Sequence, residues 1–260
     1  MAVLAACLGC VVSCANTNPA GPADRSVETV HVQLLAGAAD VDVYWPDATT
    51  PKPMVVIAHG FSRSRHNMSG WGKHLAKEGF VAVVPDLPTL SDHARNGTFL
   101  SGLRAHFSAD ASWKMRIDPS RVALMGFSAG GLSSLLSATE SPGVALWIGL
   151  DPVDRDDLGV KAAALLASRA VVITAEPSPC NAHGNAKRIV EALSHGEHFR
   201  VAGAVHVDAE WPTSWLAERV CGRSSEDKRE AFVVRATQAL QAALAAPPSN
   251  AARPGARSGP

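Results

Sequence analysis

Gly126-Phe127-Ser128-Ala129-Gly130 places a serine between two glycines, just after the apolar run 122–125 and just before a proline-free, small-residue stretch at 131–138. A serine on so sharp a strand-to-helix turn is held in a strained backbone conformation, and a Cβ two residues to either side would clash with the turn. This is the pattern of a nucleophile elbow, which presents an exposed hydroxyl for attack on a carbonyl. A bare G-x-S-x-G arises by chance with a probability on the order of 0.1 in a chain of this content. The flanking strand and helix therefore carry the assignment; without them the same residues describe a glycine-rich turn with an ordinary exposed serine.

A serine hydroxyl attacks only when a histidine takes its proton, and that histidine needs an acid to fix its tautomer. In chain order the expected sequence is nucleophile, acid, base. His206 directly follows a late strand candidate, in Val201-Ala-Gly-Ala-Val205-His206-Val207-Asp208, and is the candidate base. His183, His195 and His198 fall in a polar loop or around a helix end, where solvated side chains are expected. For the acid, Asp151 stands at the C-terminal end of the run 144–150, where catalytic groups gather in parallel sheets, and Pro152 biases it toward an extended conformation. Glu176, the sole carboxylate after the next strand, and Asp154 are the alternatives, and each of the three also suits a turn or a helix cap. The oxyanion formed on attack needs two donors: the Ala129 N–H supplies one, and the Phe61 N–H in His59-Gly60-Phe61-Ser62, where Gly60 admits close backbone approach, supplies the other. Losing one such donor typically costs roughly 3 to 4 kcal/mol of transition-state stabilisation.

The elements that must position these groups follow from hydrophobic rhythm. Alternation at 29–35 and 41–44 predicts two antiparallel leading strands. The runs 54–58, 80–84, 122–125, 144–150, 170–174 and 199–201 are apolar without alternation, as in strands covered on both faces. Helices are expected at 66–78, 131–138, 161–167, 185–193 and 226–244. Strand alternating with helix gives an α/β, mostly parallel, doubly wound sheet with helices on both faces. Its length of 260 residues suits one such domain, at 27–246, after a linker at 15–26 and before a Pro/Ser/Gly/Ala-rich tail at 247–260 expected to be disordered. About nineteen residues separate Asp151 from the next strand, too few for a large lid, so the site is expected to be open. Trp71 and Trp211 are candidates either to line it or to pack the core.

Lys plus Arg equals Asp plus Glu at 24 each, so no long-range field favours nucleic acid. Residues 1–14 are uncharged and almost wholly apolar, too short to span a bilayer, and read as an export signal that lacks a basic n-region. Val11-Val12-Ser13-Cys14 resembles a bacterial lipoprotein cleavage box, which would make Cys14 a lipidation site and a means of membrane attachment in the cell envelope; secretion is the companion expectation. Only Cys180 and Cys221 remain in the body of the chain. In an oxidising compartment such a pair suggests a disulfide stabilising the fold by roughly 3 to 4 kcal/mol, and two unrelated buried thiols are the alternative.

With these residues placed, the chain resembles an α/β-hydrolase and, within that fold, chlorophyllases and the related cutinase-like polyester hydrolases. The segments that carry the likeness to chlorophyllases are His59-Gly60-Phe61, Gly79-Phe80-Val81 through Pro85, the stretch from Gly126 to Gly131, Ile148-Gly-Leu-Asp151-Pro-Val-Asp154, Pro179-Cys180, His206-Val-Asp208 and the late Cys221. Gly-Leu-Asp-Pro is also similar to vertebrate lipases of the pancreatic type, which carry their acid after that strand. The chain departs from chlorophyllases in having Phe127 and Ala129 beside the serine, where they have His and Arg, and from polyester hydrolases in having Ser178 where a later-strand aspartate stands. The resemblance implies hydrolysis of a small or polymeric carboxylic ester through an acyl-enzyme, with no cofactor and no metal. A peptidase or thioesterase on the same fold, or a noncatalytic surface lipoprotein using the cleft for binding, are the rival readings.

Overall fold

Alternate residues of Lys52–Ala58 (β3) are buried on opposite faces of one sheet: Met54, Val56 and Ala58 join one apolar cluster, Val55 and Ile57 the other. Burial on both sides is why such runs show no alternation in the sequence. Val81–Pro85 (β4), the latter half of Ile117–Phe127 (β5), Val144–Leu150 (β6) and Arg169–Thr174 (β7) behave alike. The computed structural model describes residues 26–245. Together with Val27–Leu34 (β1), Gly37–Tyr44 (β2) and Gly196–Arg200 (β8), these strands form an eight-stranded sheet of order β1-β2-β4-β3-β5-β6-β7-β8. β2 pairs antiparallel with β1 and β4, and every other pairing is parallel.

Ser69–Lys77 (α1) and Glu226–Ala243 (α7) cover one face through Trp71, Leu75, Phe232 and Leu240. His93–Ala109 (α2), Ala129–Glu140 (α3), Leu158–Leu165 (α4) and Ala186–Ala192 (α5) cover the other through Phe99, Leu103, Leu135, Ala163 and Ile189. Each leucine, isoleucine or phenylalanine among them, fully withdrawn from water, contributes roughly 1.5 to 3 kcal/mol of hydrophobic stabilisation. Among the described residues no helix is long and apolar enough to cross a membrane. The expected export signal at 1–14 with Cys14, the linker up to residue 25 and the tail at 247–260 lie outside the described residues.

Several elements differ from expectation. α2 was not foreseen, because Gly97 and Gly102 break its pattern; Gly97 is there because a Cβ would stand 3.0 Å from Leu136 and 3.1 Å from the Ser133 carbonyl of α3. Trp215–Cys221 (α6) was also unforeseen, since it buries only Ala217. β8 is an edge strand with exposed residues rather than a strand covered on both faces, and His198 lies on it, 2.9 Å from the Thr174 hydroxyl, rather than at a helix end. α4 starts at Leu158, ahead of the expected 161, because Asp154 Oδ1 accepts the N–H groups of Arg155 and Gly159. Cys180 and Cys221 form a disulfide with a Cα–Cα distance of 5.7 Å, tying the loop after β7 to the end of α6.

Candidate active site

β5 ends at Phe127, and Ser128 occupies the turn into α3 at φ 54° and ψ −122°. The left-handed φ is a strained setting for a serine. Close packing enforces it: a Cβ on Gly126 would meet the Gly130 carbonyl oxygen at 2.2 Å, and one on Gly130 would meet the His59 carbonyl oxygen at 2.2 Å. The Ser128 N–H donates to the Leu150 carbonyl at 3.0 Å, and its own carbonyl accepts from Gly131 at 2.9 Å and Val153 at 3.2 Å. The elbow is thus fastened to β6 as well as to its own helix.

Ser128 Oγ lies 2.9 Å from His206 Nε2, and His206 Nδ1 lies 2.6 Å from Asp151 Oδ2. The three side chains are buried, and the Phe127 ring lies 4.7 Å from the His206 ring. With a carboxylate at Nδ1, that nitrogen carries the proton and donates it, leaving Nε2 to accept from the serine. His206 does not follow its strand directly; it opens the 3-10 turn His206–Ala209, with five residues between it and the end of β8. Asp208 holds this turn by accepting the Val205 and Ser225 N–H groups, each at 2.7 Å.

Asp151 sits at φ 42° immediately after β6. Its Oδ1 accepts the Ala175 N–H at 3.1 Å, and its Oδ2 accepts the Asn181 side-chain amide at 3.0 Å in addition to His206. Asn181 is a neighbour of the candidate acid that the sequence does not single out. It is buried, bridges to the Glu176 carbonyl at 2.9 Å, and accepts the Ser178 and Gly184 N–H groups at 2.8 and 3.0 Å. No motif marks it; the nearest signal is its place beside Cys180. Neither alternative acid reaches His206 by a hydrogen bond. Glu176 accepts the Gly203 N–H and lies 3.8 Å from Arg200 at the surface, whereas Asp154 is occupied at the start of α4.

The donor loop follows β3. A Cβ on Gly60 would stand 2.9 Å from the Phe127 ring and 3.2 Å from Ser128 Cβ, so only glycine lets this backbone lie against the serine. His59 orients the loop: Nδ1 donates to the Gly60 carbonyl at 2.9 Å, and Nε2 accepts the Leu87 N–H at 2.9 Å. Burial holds the ring's pKa below the ordinary histidine value, consistent with that neutral tautomer. Because the Gly60 carbonyl and the Phe61 N–H share one planar trans peptide, fixing the first aims the second the opposite way. Among the described residues neither the Phe61 nor the Ala129 N–H has an acceptor in the protein. Arg63 Nε and Glu210 Oε1 are 2.6 Å apart, an ion pair not aligned as a hydrogen bond, which joins the donor loop to the segment bearing His206. Burial pushes the Glu210 carboxyl above its ordinary pKa.

Phe61 and Ala129 both line a cleft of about 140 Å³ that continues past Leu87, Leu90 and His93. A larger hollow of about 620 Å³, around Trp45 and Arg116, lies at the opposite, N-terminal ends of the strands and holds none of these residues. Neither candidate tryptophan lines the cleft. Trp71 is fully buried and donates to the Ala209 carbonyl at 2.9 Å, and Trp211 packs over Gly70 and near His74. Among the described residues no group of His, Cys, Asp and Glu could hold a metal ion.

The sheet order, the elbow after β5 and the hydrogen-bonded serine, histidine and aspartate define an α/β-hydrolase. Solved structures agree on the fold: the dienelactone hydrolase of Anabaena variabilis superposes with a TM-score of 0.66 at 17% identity, covering 84% of this chain and 99% of that one. DcsB, in complex with its substrate analogue, gives 0.68 at 13%, covering 85% and 100%. Within this class the chain belongs to the PET hydrolase-like family, whose model matches residues 13–245. It is 28% identical over 210 residues to the bis(hydroxyethyl) terephthalate hydrolase of Streptomyces coelicolor, covering 76% of this chain and 66% of that protein. It is 29% identical over 135 residues to cutinase 1 of Thermobifida cellulosilytica, covering 51% and 52%. The chain thus spans about half to two thirds of the length of these relatives.

Proposed function

We propose that the chain is a serine hydrolase of carboxylic esters that works through an acyl-enzyme. Ser128 Oγ attacks the ester carbonyl carbon while its proton passes to His206 Nε2, and Asp151 stabilises the resulting imidazolium through Nδ1–H. The carbonyl oxygen, now an oxyanion, takes the N–H groups of Phe61 and Ala129. Collapse breaks the bond to the alcohol oxygen, which leaves with the proton from His206. Water then attacks the acyl-serine, giving its proton to His206, and the second collapse returns that proton to Ser128 and frees the carboxylic acid. None of these steps calls on a cofactor.

The observation that carries this reading is the unbroken chain from Ser128 Oγ through His206 to Asp151, at 2.9 and 2.6 Å, beside two backbone donors that have no acceptor among the described residues. The relatives named for cutin and bis(hydroxyethyl) terephthalate point to an ester, small or polymeric, with an accessible carbonyl. Only seven residues separate β6 from α4, so no lid forms there. Phe127 and Ala129 beside the serine argue against chlorophyll as substrate. Export is part of the proposal, resting on the apolar residues 1–14 and the disulfide; lipidation at Cys14 would then anchor the enzyme to the envelope. Turnover of p-nitrophenyl acetate should vanish in Ser128→Ala. Unchanged turnover would eliminate the esterase, and wild-type cleavage of amides or thioesters in preference to esters would favour the peptidase or thioesterase reading.

A further inference from the structure

His93, the first residue of α2, is only 8% exposed, yet it lines the cleft that begins at Phe61 and Ala129. Among the described residues its one side-chain partner is Ser133, whose Oγ lies 3.5 Å from Nδ1. Ser133 Oγ is also 3.3 Å from the Ala129 carbonyl, to which only the hydroxyl can donate. With that proton engaged, Ser133 Oγ is left to accept, so Nδ1 carries the ring proton and Nε2 is a bare acceptor with no partner among the described residues. Nε2 is not enclosed by the protein, so a donor lying in the cleft can reach it. Burial and the nearby Arg155 both hold the ring neutral, below the ordinary histidine pKa, despite Asp92, Asp154 and Asp156 acting in the other direction.

We propose that His93 Nε2 accepts a hydrogen bond from a hydroxyl on the arm of the ester lying in this cleft. This makes His93 a specificity-determining residue and hydroxyl-bearing esters the favoured class. The inference rests on the reading of Ser128 as nucleophile, because that fixes the end of the cleft at which the carbonyl sits. Ala129 and Ser133 are one turn apart on α3, about 6 Å along its axis. A six-carbon arm covers that span, and the volume of about 140 Å³ favours a single slender arm.

The test compares ester pairs that differ only in hydroxyl against methoxy, followed by pH-stat titration. Methyl ω-hydroxyhexanoate against methyl ω-methoxyhexanoate varies the acyl arm, and ω-hydroxyhexyl acetate against ω-methoxyhexyl acetate varies the alcohol arm. The wild type should favour the hydroxyl roughly fivefold in kcat/KM in one of the pairs. His93→Leu should bring that ratio to about one, and His93→Gln, which keeps an acceptor, should restore part of it. The ratio is internal to each variant, so a general loss of folded enzyme cancels. Turnover of methyl hexanoate reports separately on the hydrolase reading. No hydroxyl preference in either pair, a preference for methoxy, or a ratio untouched by His93→Leu would overturn the proposal.

Discussion

Asp151→Asn is the sharpest perturbation of this site, because the carboxylate is surrounded entirely by donors. Oδ1 accepts the Ala175 N–H, and Oδ2 accepts both the Asn181 amide and His206 Nδ1. An asparagine has one oxygen to offer. With its NH₂ toward His206, it opposes the Asn181 donor and forces the imidazole into the tautomer protonated at Nε2, which cannot take the serine proton. With its NH₂ toward Ala175, it opposes a fixed backbone donor and still lacks the charge that stabilises the imidazolium. Either way kcat should fall about 10³- to 10⁴-fold, the upper end being the scale known for the same change in serine-histidine-aspartate sites. That corresponds to about 4 to 5.5 kcal/mol of barrier. The assay is p-nitrophenyl acetate hydrolysis normalised to folded protein by circular dichroism, with Glu176→Gln run alongside. Among the described residues the Glu176 side chain reaches only the Gly203 N–H and Arg200, so its change should leave kcat within about threefold, as surface substitutions do. If Glu176→Gln abolishes turnover while Asp151→Asn does not, the assignment of the acid is wrong.

Two further outcomes follow from the same structure. Replacing both Cys180 and Cys221 by serine opens a link across 41 residues and should destabilise the domain by roughly 3 to 4 kcal/mol. That is a fall in Tm of about 6 to 16 °C by calorimetry; an unchanged Tm would show that the bond does not constrain the unfolded chain. The second concerns pH. His59, His74, His93 and His198 all have pKa values lowered, chiefly by burial, from 6.5. Below pH 6.5 the unfolded chain therefore binds protons that the native state refuses, so stability falls as the pH drops. Glu210, raised above 4.5 by burial, acts in the opposite sense but is one group against four. Tm should decline between pH 6.5 and 5 and decline less in His59→Gln; a rising Tm over that range would contradict this balance.

Much of the frame was legible because the central strands are buried on both faces, and uninterrupted apolar residues such as Met54 through Ala58 record that directly. The elbow was legible for a related reason: glycines at 126 and 130 are demanded by contacts of 2.2 Å, which leave no other residue type possible. α2 was hidden because its glycines serve close packing, Gly97 against α3 and Gly102 against Leu34 of β1, rather than helix propensity, so local preference and tertiary need disagree there. α6 was hidden because Trp215, Leu216 and Val220 face outward and leave no buried stripe to detect. His59 and Gly60 could be placed near the site from their position after β3. Asn181 could not, because its role depends on a side-chain bond to Asp151 across 30 positions of sequence. His93 lies within α2, so its place at the cleft was hidden with that helix.

A fluorophosphonate probe followed by peptide mapping asks most directly whether the hydroxyl at the elbow is the nucleophile. The account predicts a single stoichiometric adduct on the peptide bearing Ser128, formed at least a hundredfold more slowly in His206→Ala than in the wild type, in keeping with the 10²- to 10⁴-fold contribution of a general base. Labelling on another serine, or labelling of Ser128 at an undiminished rate without His206, would contradict it.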